Sequence, residues 1–249
     1  MKRKKWVSNE VLNWYSYSDS ARILDKDKGE RAYAIWEHSK QLIENNESDF
    51  HLADGITNLK RALNHRLNTI EEIYCFKAIK IKNKPKGYME MLEILGIVRP
   101  FLMKQLLVIR NDIEHRDNKP PSKERCLELL DVIWYFLKST DFIVQIERYN
   151  IVFDEDKERD DSSWFTLEYI YQKDIFIIRG KIPPEFVYEE PLENTFGVVL
   201  GLIDGVDDRW VSKVYSKEPI DLLPNEIIGE AKFEDSNKVS LIQDILFNY

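Results

Sequence analysis

Apolar residues in the first half of the chain recur at spacings of three and four, as in an α-helix that buries one face. The longest such stripe predicts a helix over residues 49–82, which Asn83-Lys84-Pro85-Lys86-Gly87 would end. An earlier helix is predicted to start near Ser20, with Gly29 as a point of interruption, and a short one over residues 88–95. The apolar positions of the longest stripe are Leu52, Ile56, Leu59, Leu63, Leu67, Ile70 and Tyr74.

Two further helices are predicted before residue 140. Pro100 suits the first position of a helix, where its missing N–H costs nothing, and the segment from Asp117 to Pro121 would end that helix. Ser122 suits the N-cap of the next helix, with Glu124 in its first turn. Long helices joined by short turns predict an antiparallel bundle. The apolar stripes are Leu102, Leu106, Ile109 and Ile113, then Cys126, Leu130, Ile133 and Leu137.

After Thr140 the pattern changes to short β-branched and aromatic runs separated by turn residues. Five or six such runs predict an antiparallel β-sheet or small barrel, followed by a short helix over residues 240–249. The fold class is therefore predicted as α+β, with a helical bundle over residues 1–140 and a β-rich domain over residues 141–249. The predicted strands are 142–146, 164–171, 175–179, 197–203, 210–215 and 226–233.

Charge divides the chain at the same place. The whole chain has a net charge of −8, but residues 1–140 carry 25 Lys and Arg against 20 Asp and Glu, a net of +5. Residues 141–249 carry 11 against 24, a net of −13. A basic bundle attracts RNA phosphates, and an acidic domain repels them. We therefore expect two bodies with different tasks, the second serving as a docking site for a sensor or antitoxin partner.

The sequence lacks the patterns typical of membrane-spanning, secreted, metal-binding and nucleotide-binding proteins. There is no run of 18 apolar residues, and no apolar core follows the basic start Met1–Lys5, so neither a membrane span nor a secretory signal is expected. Cys75 and Cys126 lie in apolar helical surroundings, which indicates buried reduced thiols and a cytoplasmic location. His38, His51 and His65 lack metal-ligand spacing, and no Gly-rich phosphate loop is present. We expect no metal and no cofactor.

The helix that begins at Pro100 has two distinct faces. At about 100° per residue from Leu102, the apolar stripe lies within about 40°, whereas Asn111 falls near 180° and His115 near 220°. Lys104 and Val108 share this opposite face, and Arg110 flanks the apolar stripe. A mixed apolar and polar face predicts contact with a partner, for which a second copy of the chain is the candidate.

These residue types suit RNA cleavage. A neutral imidazole accepts the proton of a ribose 2′-OH, and an imidazolium protonates the leaving 5′-oxygen. A guanidinium holds the phosphate and the charge of the transition state. One helix supplies one histidine, whereas a two-fold dimer supplies two.

The segment Arg110-Asn111-Asp112-Ile113-Glu114-His115 resembles the Arg-x4-6-His signature of HEPN ribonucleases, late in a bundle and just before the closing helix. The resemblance covers roughly residues 20–140 and implies a dimer whose groove holds the motif. It further implies a metal-independent endoribonuclease of a toxin–antitoxin or antiviral system, with Arg110, Asn111 and His115 catalytic. Lys104 and Arg116 are expected to bind substrate RNA. Family members controlled by nucleotide transfer often have a tyrosine where this chain has Asp117, so that control is not expected.

Other interpretations of the motif remain open. Arg110 can pair with Glu114 one turn later, and His115 can simply end the helix, where a cation suits the dipole. The chain would then be a non-catalytic module that binds RNA or protein, or an antitoxin or immunity protein whose acidic half neutralises a basic toxin. The sequence predicts the ribonuclease and keeps these as alternatives.

Overall fold

The protein is described from a computed structural model, which covers residues 3–18, 21–25, 27–99, 119–155, 163–201 and 226–247, together with Phe101, Lys104, Gln105, Val108, Ile109 and Asn111. The chain forms two compact units. The helical unit comprises Arg22–Ile79 and Asn83–Glu147. The sheet unit comprises Met1–Ala21, Lys80–Lys82 and Arg148–Tyr249.

This division differs from the predicted boundary at residue 140. Strands β1 (Lys4–Ser8) and β2 (Tyr15–Tyr17) lie in the sheet of the sheet unit, although they precede all the described α-helices. Residues 141–147 belong to the helical unit. The difference arises because strands this short have too few residues for a clear alternation, and their place depends on partners well over one hundred residues away.

The helical unit contains α1 (Asp27–Glu44), α2 (Asp49–Tyr74), α3 (Tyr88–Ile94), α4 (Lys123–Ser139) and α5 (Asp141–Gln145). Helices α1, α2 and α4 pack against one another. Their shared core contains the predicted stripes, since Ile56, Leu59 and Ile133 are fully buried. The helical pattern of the first half is therefore confirmed for these elements.

Two helix boundaries and one predicted strand differ from the sequence-based expectation. Helix α2 ends at Cys75, whose φ of 49° is left-handed and stops the helix before residue 82. Helix α1 begins at Asp27 rather than near Ser20, because strand β3 (Ala21–Ile23) precedes it and pairs with β4 (Ile146–Arg148). The predicted strand over residues 142–146 is wrong, since α5 occupies most of it. A short apolar run does not distinguish a strand from a buried helical turn.

The predicted cap of α4 is confirmed. Ser122 is its N-cap, and its Oγ accepts a hydrogen bond from the backbone N–H of Arg125 at 3.3 Å. That bond satisfies one of the N–H groups that the first helical turn leaves without a partner.

A buried arginine joins α2 to the junction of α4 and α5. The Arg66 side chain is fully buried, and its Nη1 donates to the Leu137 carbonyl at 3.1 Å and to the Thr140 Oγ1 at 3.2 Å. Its Nη2 donates to the Asp141 Oδ1 at 2.9 Å. The Tyr33 hydroxyl of α1 donates to the other Asp141 oxygen at 2.8 Å. This network, the Arg66 cluster, connects α1, α2 and the end of α4.

The sheet unit contains an eight-stranded antiparallel sheet, which confirms the α+β class and the antiparallel sheet. The strand order is β2-β5-β6-β7-β10-β9-β1-β8. The remaining strands are β5 (Asn150–Asp154), β6 (Trp164–Ile170), β7 (Ile175–Lys181), β8 (Val187–Tyr188), β9 (Thr195–Leu200) and β10 (Glu226–Lys232). Helix α6 (Asp235–Phe247) follows β10 and contacts β5. The predicted strand over residues 210–215 lies outside the described residues.

The sheet is strongly curled. Strands β1 and β2 are six strand spacings apart in the order, about 29 Å across a flat sheet. The chain from Ser8 to Tyr15 is seven residues, which span at most about 25 Å even when extended, and Asn9–Asn13 form a compact 3-10 helix. The Trp14 ring lies 5.7 Å from the Phe165 ring of β6 and 5.9 Å from the Phe186 ring before β8. Trp14 therefore contacts segments from distant places in the strand order.

The curl places one strand face inward. Residues at every second position of β6, β7 and β10 are buried, as expected for one apolar face. Gly180 is required at its position in β7, because a Cβ there would overlap the Trp164 carbonyl oxygen and the Phe165 Cα. The buried side of α6, including Ile242 and Ile245, contributes to the core of this unit.

A second buried ion pair lies in the sheet unit. The Lys238 Nζ of α6 lies 2.5 Å from the Asp174 Oδ1 in the β6–β7 turn and donates to the Lys80 carbonyl at 3.0 Å. The Tyr169 hydroxyl donates to the same Asp174 oxygen at 2.6 Å, and the Lys80 N–H donates to the other at 3.0 Å. This network, the Lys238 cluster, holds the segment Lys80–Lys82 in the sheet unit.

Candidate functional site

The motif helix is the part of the helical unit that carries the ribonuclease-like segment. Its described residues are helical: Phe101, Lys104, Gln105, Val108, Ile109 and Asn111. Arg110, His115 and Arg116, three of the five predicted site residues, lie outside the described residues. Asn111 and Lys104 are described.

Exposure of the described residues follows the predicted two faces. Phe101 is 70% exposed and Val108 is 54% exposed, and Lys104 and Asn111 are also exposed. Gln105 and Ile109, on other sides of the helix, are half-buried. Large apolar side chains exposed on one helical face are typical of a surface that another molecule covers. We call Phe101, Lys104, Val108 and Asn111 the exposed stripe.

Lys104 has a partner within its own unit. Its Nζ lies 2.7 Å from the Glu90 Oε1 of α3, and this bond lowers the pKa of the Glu90 carboxyl below its usual range. Both side chains are well exposed, so the pair is weak and water competes with it. A phosphate that binds Lys104 would have to displace Glu90, which makes Lys104 a weaker anion ligand than a lysine without a carboxylate neighbour.

Phe101 is the residue of this surface that sequence reasoning missed. Its signal was present, because at about 100° per residue Phe101 falls near 260° from Leu102, beside Val108 and the predicted position of His115. The structure separates it from the core, since its side chain is mostly exposed.

The two cysteines differ in their surroundings. Cys126 is buried, which raises the pKa of its thiol to about 11, as expected for an unreactive core residue. Cys75 is half-exposed rather than buried, and burial together with the carboxylates of Glu71 and Glu147 raises its thiol pKa. A raised pKa disfavours the thiolate, so neither thiol resembles an activated nucleophile.

Comparison of the chain with protein-family models, with curated proteins and with solved structures finds no match.

Two further features bear on the site. Within the described ranges, no group of three or more His, Cys, Asp and Glu side chains has an arrangement that could hold a metal ion. The described helices include none that is both long and apolar enough to cross a membrane.

Proposed function

We propose that the chain is a homodimeric, metal-independent endoribonuclease of the HEPN type, acting in a toxin or antiviral defence system. The exposed stripe of the motif helix is the observation that carries this proposal. It is the face on which the sequence periodicity places His115, near 220° on the helical wheel and between Asn111 and Val108. An apolar and polar face of this kind fits a self-complementary interface.

The proposed dimer joins two copies of the exposed stripe across a two-fold axis. Phe101 and Val108 supply apolar contact area, and residues toward the motif surround a shared groove. A two-fold interface brings the same residue from each copy close to the axis, which pairs the two His115 side chains. One chain has a single histidine in the motif. A dimer is therefore required for one His115 to act as the general base and the other as the general acid.

The proposed reaction is transesterification within RNA. One neutral His115 takes the proton of the 2′-OH, whose oxygen attacks the adjacent phosphorus. The protonated His115 of the other copy gives its proton to the leaving 5′-oxygen. Arg110 stabilises the negative charge on the phosphoryl oxygens, Asn111 orients the phosphate, and Lys104 and Arg116 bind the flanking backbone. The products are a 2′,3′-cyclic phosphate and a 5′-OH.

The decisive experiment measures RNA cleavage by purified full-length protein. His115→Ala and Arg110→Ala should each lower the rate by about a hundredfold or more, the usual effect of removing a general acid–base or a charge-stabilising group. Matched controls are His38→Ala and Arg31→Ala, which alter exposed residues of α1 and should leave the rate unchanged. Cleavage should persist in a chelator. Equal rates for wild type and His115→Ala, or a strict need for magnesium, would reject the proposal.

A cell-based test complements the cleavage assay. Expression of the chain should slow bacterial growth, and His115→Ala should relieve the effect at matched protein levels. Wild type and variant that inhibit growth equally would contradict a ribonuclease toxin. RNA binding without cleavage by the purified wild type would instead favour the non-catalytic binding module.

Dimerisation needs its own test, because it is separable from chemistry. Phe101→Glu and Val108→Glu place charge in the middle of the exposed stripe and should convert a dimer into a monomer, measured by light scattering. Phe50→Glu is a suitable control, because Phe50 is also highly exposed but lies at the start of α2. A dimer unaffected by the two stripe variants would place the interface elsewhere.

A further inference from the structure

The sheet unit contains a cavity of about 400 Å³ at its surface. Its walls come from the 3-10 helix Asn9–Asn13, from the turn before β9 and from one side of α6. That volume lies in the range typical of small-molecule sites. The cavity lies within one compact unit, so its shape does not depend on the helical unit.

The lining is polar and lacks positive charge. Four carboxamides line the cavity together with two carboxylates: Asn9, Asn13, Asn194, Asn237, Glu10 and Asp244. Lysine and arginine are missing from the described lining. Carboxylates without a cationic neighbour repel phosphates and other anions. The lining therefore selects against RNA and nucleotides and favours a neutral or positively charged ligand.

Two acceptors of this lining lack a donor. The Asn9 Oδ1 is buried and has no hydrogen-bond partner among the described residues. The Asp244 side chain makes neither a hydrogen bond nor an ion pair within the described ranges. Burial raises the pKa of Asp244, the behaviour of a carboxyl partly removed from water without a cation beside it. The Asn9 oxygen lies below the surface, so Asp244 is the acceptor that a ligand in the cavity can reach, and a cationic donor would offset the cost of its partial burial.

We propose that this cavity is a binding site for a small organic cation that carries primary ammonium groups, of the alkyl polyamine class. An ammonium group has three N–H donors and no acceptor. It can therefore bind Asp244 by a charge-assisted bond and use its remaining N–H groups on the carboxamide of Asn13, which is exposed in the cavity wall. The second ammonium group of the ligand would lie toward Glu10 at the exposed side of the cavity.

The surrounding charge supports this ligand class. The residues of the sheet unit, 1–21, 80–82 and 148–249, carry 17 Lys and Arg against 24 Asp and Glu, a net charge of −7 that attracts a cation toward the cavity. Asn237, Leu241 and Asp244 recur at spacings of four and three on α6, so one face of a single helix presents the amide and the carboxylate together. Helix α6 is also where Lys238 joins the β6–β7 turn. Binding at Asp244 would thus stabilise the helix that holds this unit together.

The test is calorimetric titration of nuclease-treated full-length protein with spermidine. We expect saturable binding, weakened at least about tenfold by Asp244→Asn, which keeps the side-chain shape and removes the charge. Glu193→Gln is the matched control, because Glu193 is an exposed carboxylate beside Asn194 that does not line the cavity. Asn13→Lys is a second variant, which places a positive charge at an exposed lining position and should abolish binding without disturbing the core.

Each remaining outcome contradicts the proposal. Equal weakening by Asp244→Asn and Glu193→Gln would mean attraction to the general acidic surface. The absence of saturation up to about 10 mM spermidine would exclude a site of useful affinity. Two other ligands, magnesium and the uncharged polyol glucose, are titrated in parallel. If one of them binds, loses binding in Asp244→Asn, and spermidine does not bind, the cavity belongs to another ligand class. These outcomes are independent of the ribonuclease proposal, because catalytic variants of the motif helix leave this cavity intact.

Discussion

The Arg66 cluster of the helical unit and the Lys238 cluster of the sheet unit each pair a buried cation with an aspartate, but the two cations make different hydrogen bonds. Each has a buried cation, an aspartate and a tyrosine whose hydroxyl donates to that aspartate. Arg66 uses its planar fork to reach a carbonyl, a hydroxyl and a carboxylate at once. Lys238 has a compact ammonium group that bonds one carboxylate and one carbonyl.

The difference reflects what each cluster connects. Arg66 donates to the Leu137 carbonyl in the last turn of α4, which also accepts from the N–H of the C-cap Thr140, so Arg66 adds a further donor at this helix end. Asp174 and Lys238 instead bind the N–H and C=O of Lys80, a residue that comes from between helical segments. The first cluster stabilises helix packing within a unit. The second cluster stabilises the segment Lys80–Lys82, which belongs to the sheet unit although the residues before and after it in the sequence belong to the helical unit.

Removing the arginine should have the largest effect on stability. Arg66→Ala removes the buried cation that pairs with Asp141, and we expect a loss of about 3–5 kcal/mol in the unfolding free energy. Hydrogen exchange of the full chain should show the loss in residues 22–79 and 119–147. Lys138→Ala is the control, because Lys138 is near the same aspartate but half-exposed, and should cost less than about 1 kcal/mol. Equal losses of stability in Arg66→Ala and Lys138→Ala would show that the buried ion pair between Arg66 and Asp141 does not stabilise the fold.

The corresponding change in the sheet unit should cost somewhat less. Asp174→Asn preserves the left-handed backbone, at φ 57°, but leaves Lys238 without its carboxylate. We expect a loss of about 2–4 kcal/mol, because a buried lysine can give up its proton, whereas an arginine cannot. Amide exchange should accelerate near residues 80–82 and 169–174. Glu185→Gln, at an exposed position of the same unit, should not change exchange there.

The two tyrosines provide a smaller and pH-dependent comparison. Tyr33→Phe and Tyr169→Phe each remove one hydrogen bond to an aspartate, at a cost of about 1 kcal/mol. Burial and the neighbouring aspartate raise the pKa of each phenol in the folded protein. Their stabilisation is therefore complete below the unfolded pKa of about 10 and is lost as the pH rises beyond it.

The wild-type unfolding free energy should accordingly fall in alkaline solution between pH 9 and about 11. Each Phe variant should reduce that slope, with Tyr33→Phe acting on the helical unit and Tyr169→Phe on the sheet unit. A slope unchanged in both variants would show that these phenols do not determine the alkaline sensitivity.

The smallest effect is expected at Glu168 of β6. Burial raises the pKa of its carboxyl, an effect that the nearby Arg179 partly offsets. A raised carboxyl pKa means that ionisation opposes folding, so this contribution favours the fold at low pH and is lost as the pH rises through the folded pKa. Glu168→Gln should raise stability at pH 7 by about 0.5 kcal/mol and have no benefit at pH 3. Destabilisation at pH 7 would show that the pairing with Arg179 dominates.

In both units, the longer helices and strands could be predicted from the sequence and the short strands could not. The stripes of α2 and α4 were predictable because each helix buries one face over many turns, which repeats the signal. Strands β6, β7 and β10 were also predictable, since alternation over seven residues is clear in each. The shorter strands were missed, because their two to five residues carry too little pattern: β1, β2, β3, β4, β5 and β8.

For the candidate site, the sequence predicted the opposite face of the motif helix, and exposure of Lys104, Val108 and Asn111 agrees with that prediction. The catalytic roles of Arg110, Asn111 and His115 stay a prediction. The cavity of the sheet unit could not be predicted, because its asparagines come from three distant segments and share no spacing.

The sequence by itself determined the helical and strand character of the longer segments and the charge contrast between the two halves. These properties are local or additive, so periodicity and composition carry them. Only the tertiary structure decided that β1 enters a sheet built mainly from the second half, that Lys80 is bound by Asp174 and Lys238, and that Arg66 is buried. Each of these depends on partners more than seventy positions away in the sequence. The periodicity of a short segment carries no information about such distant pairings.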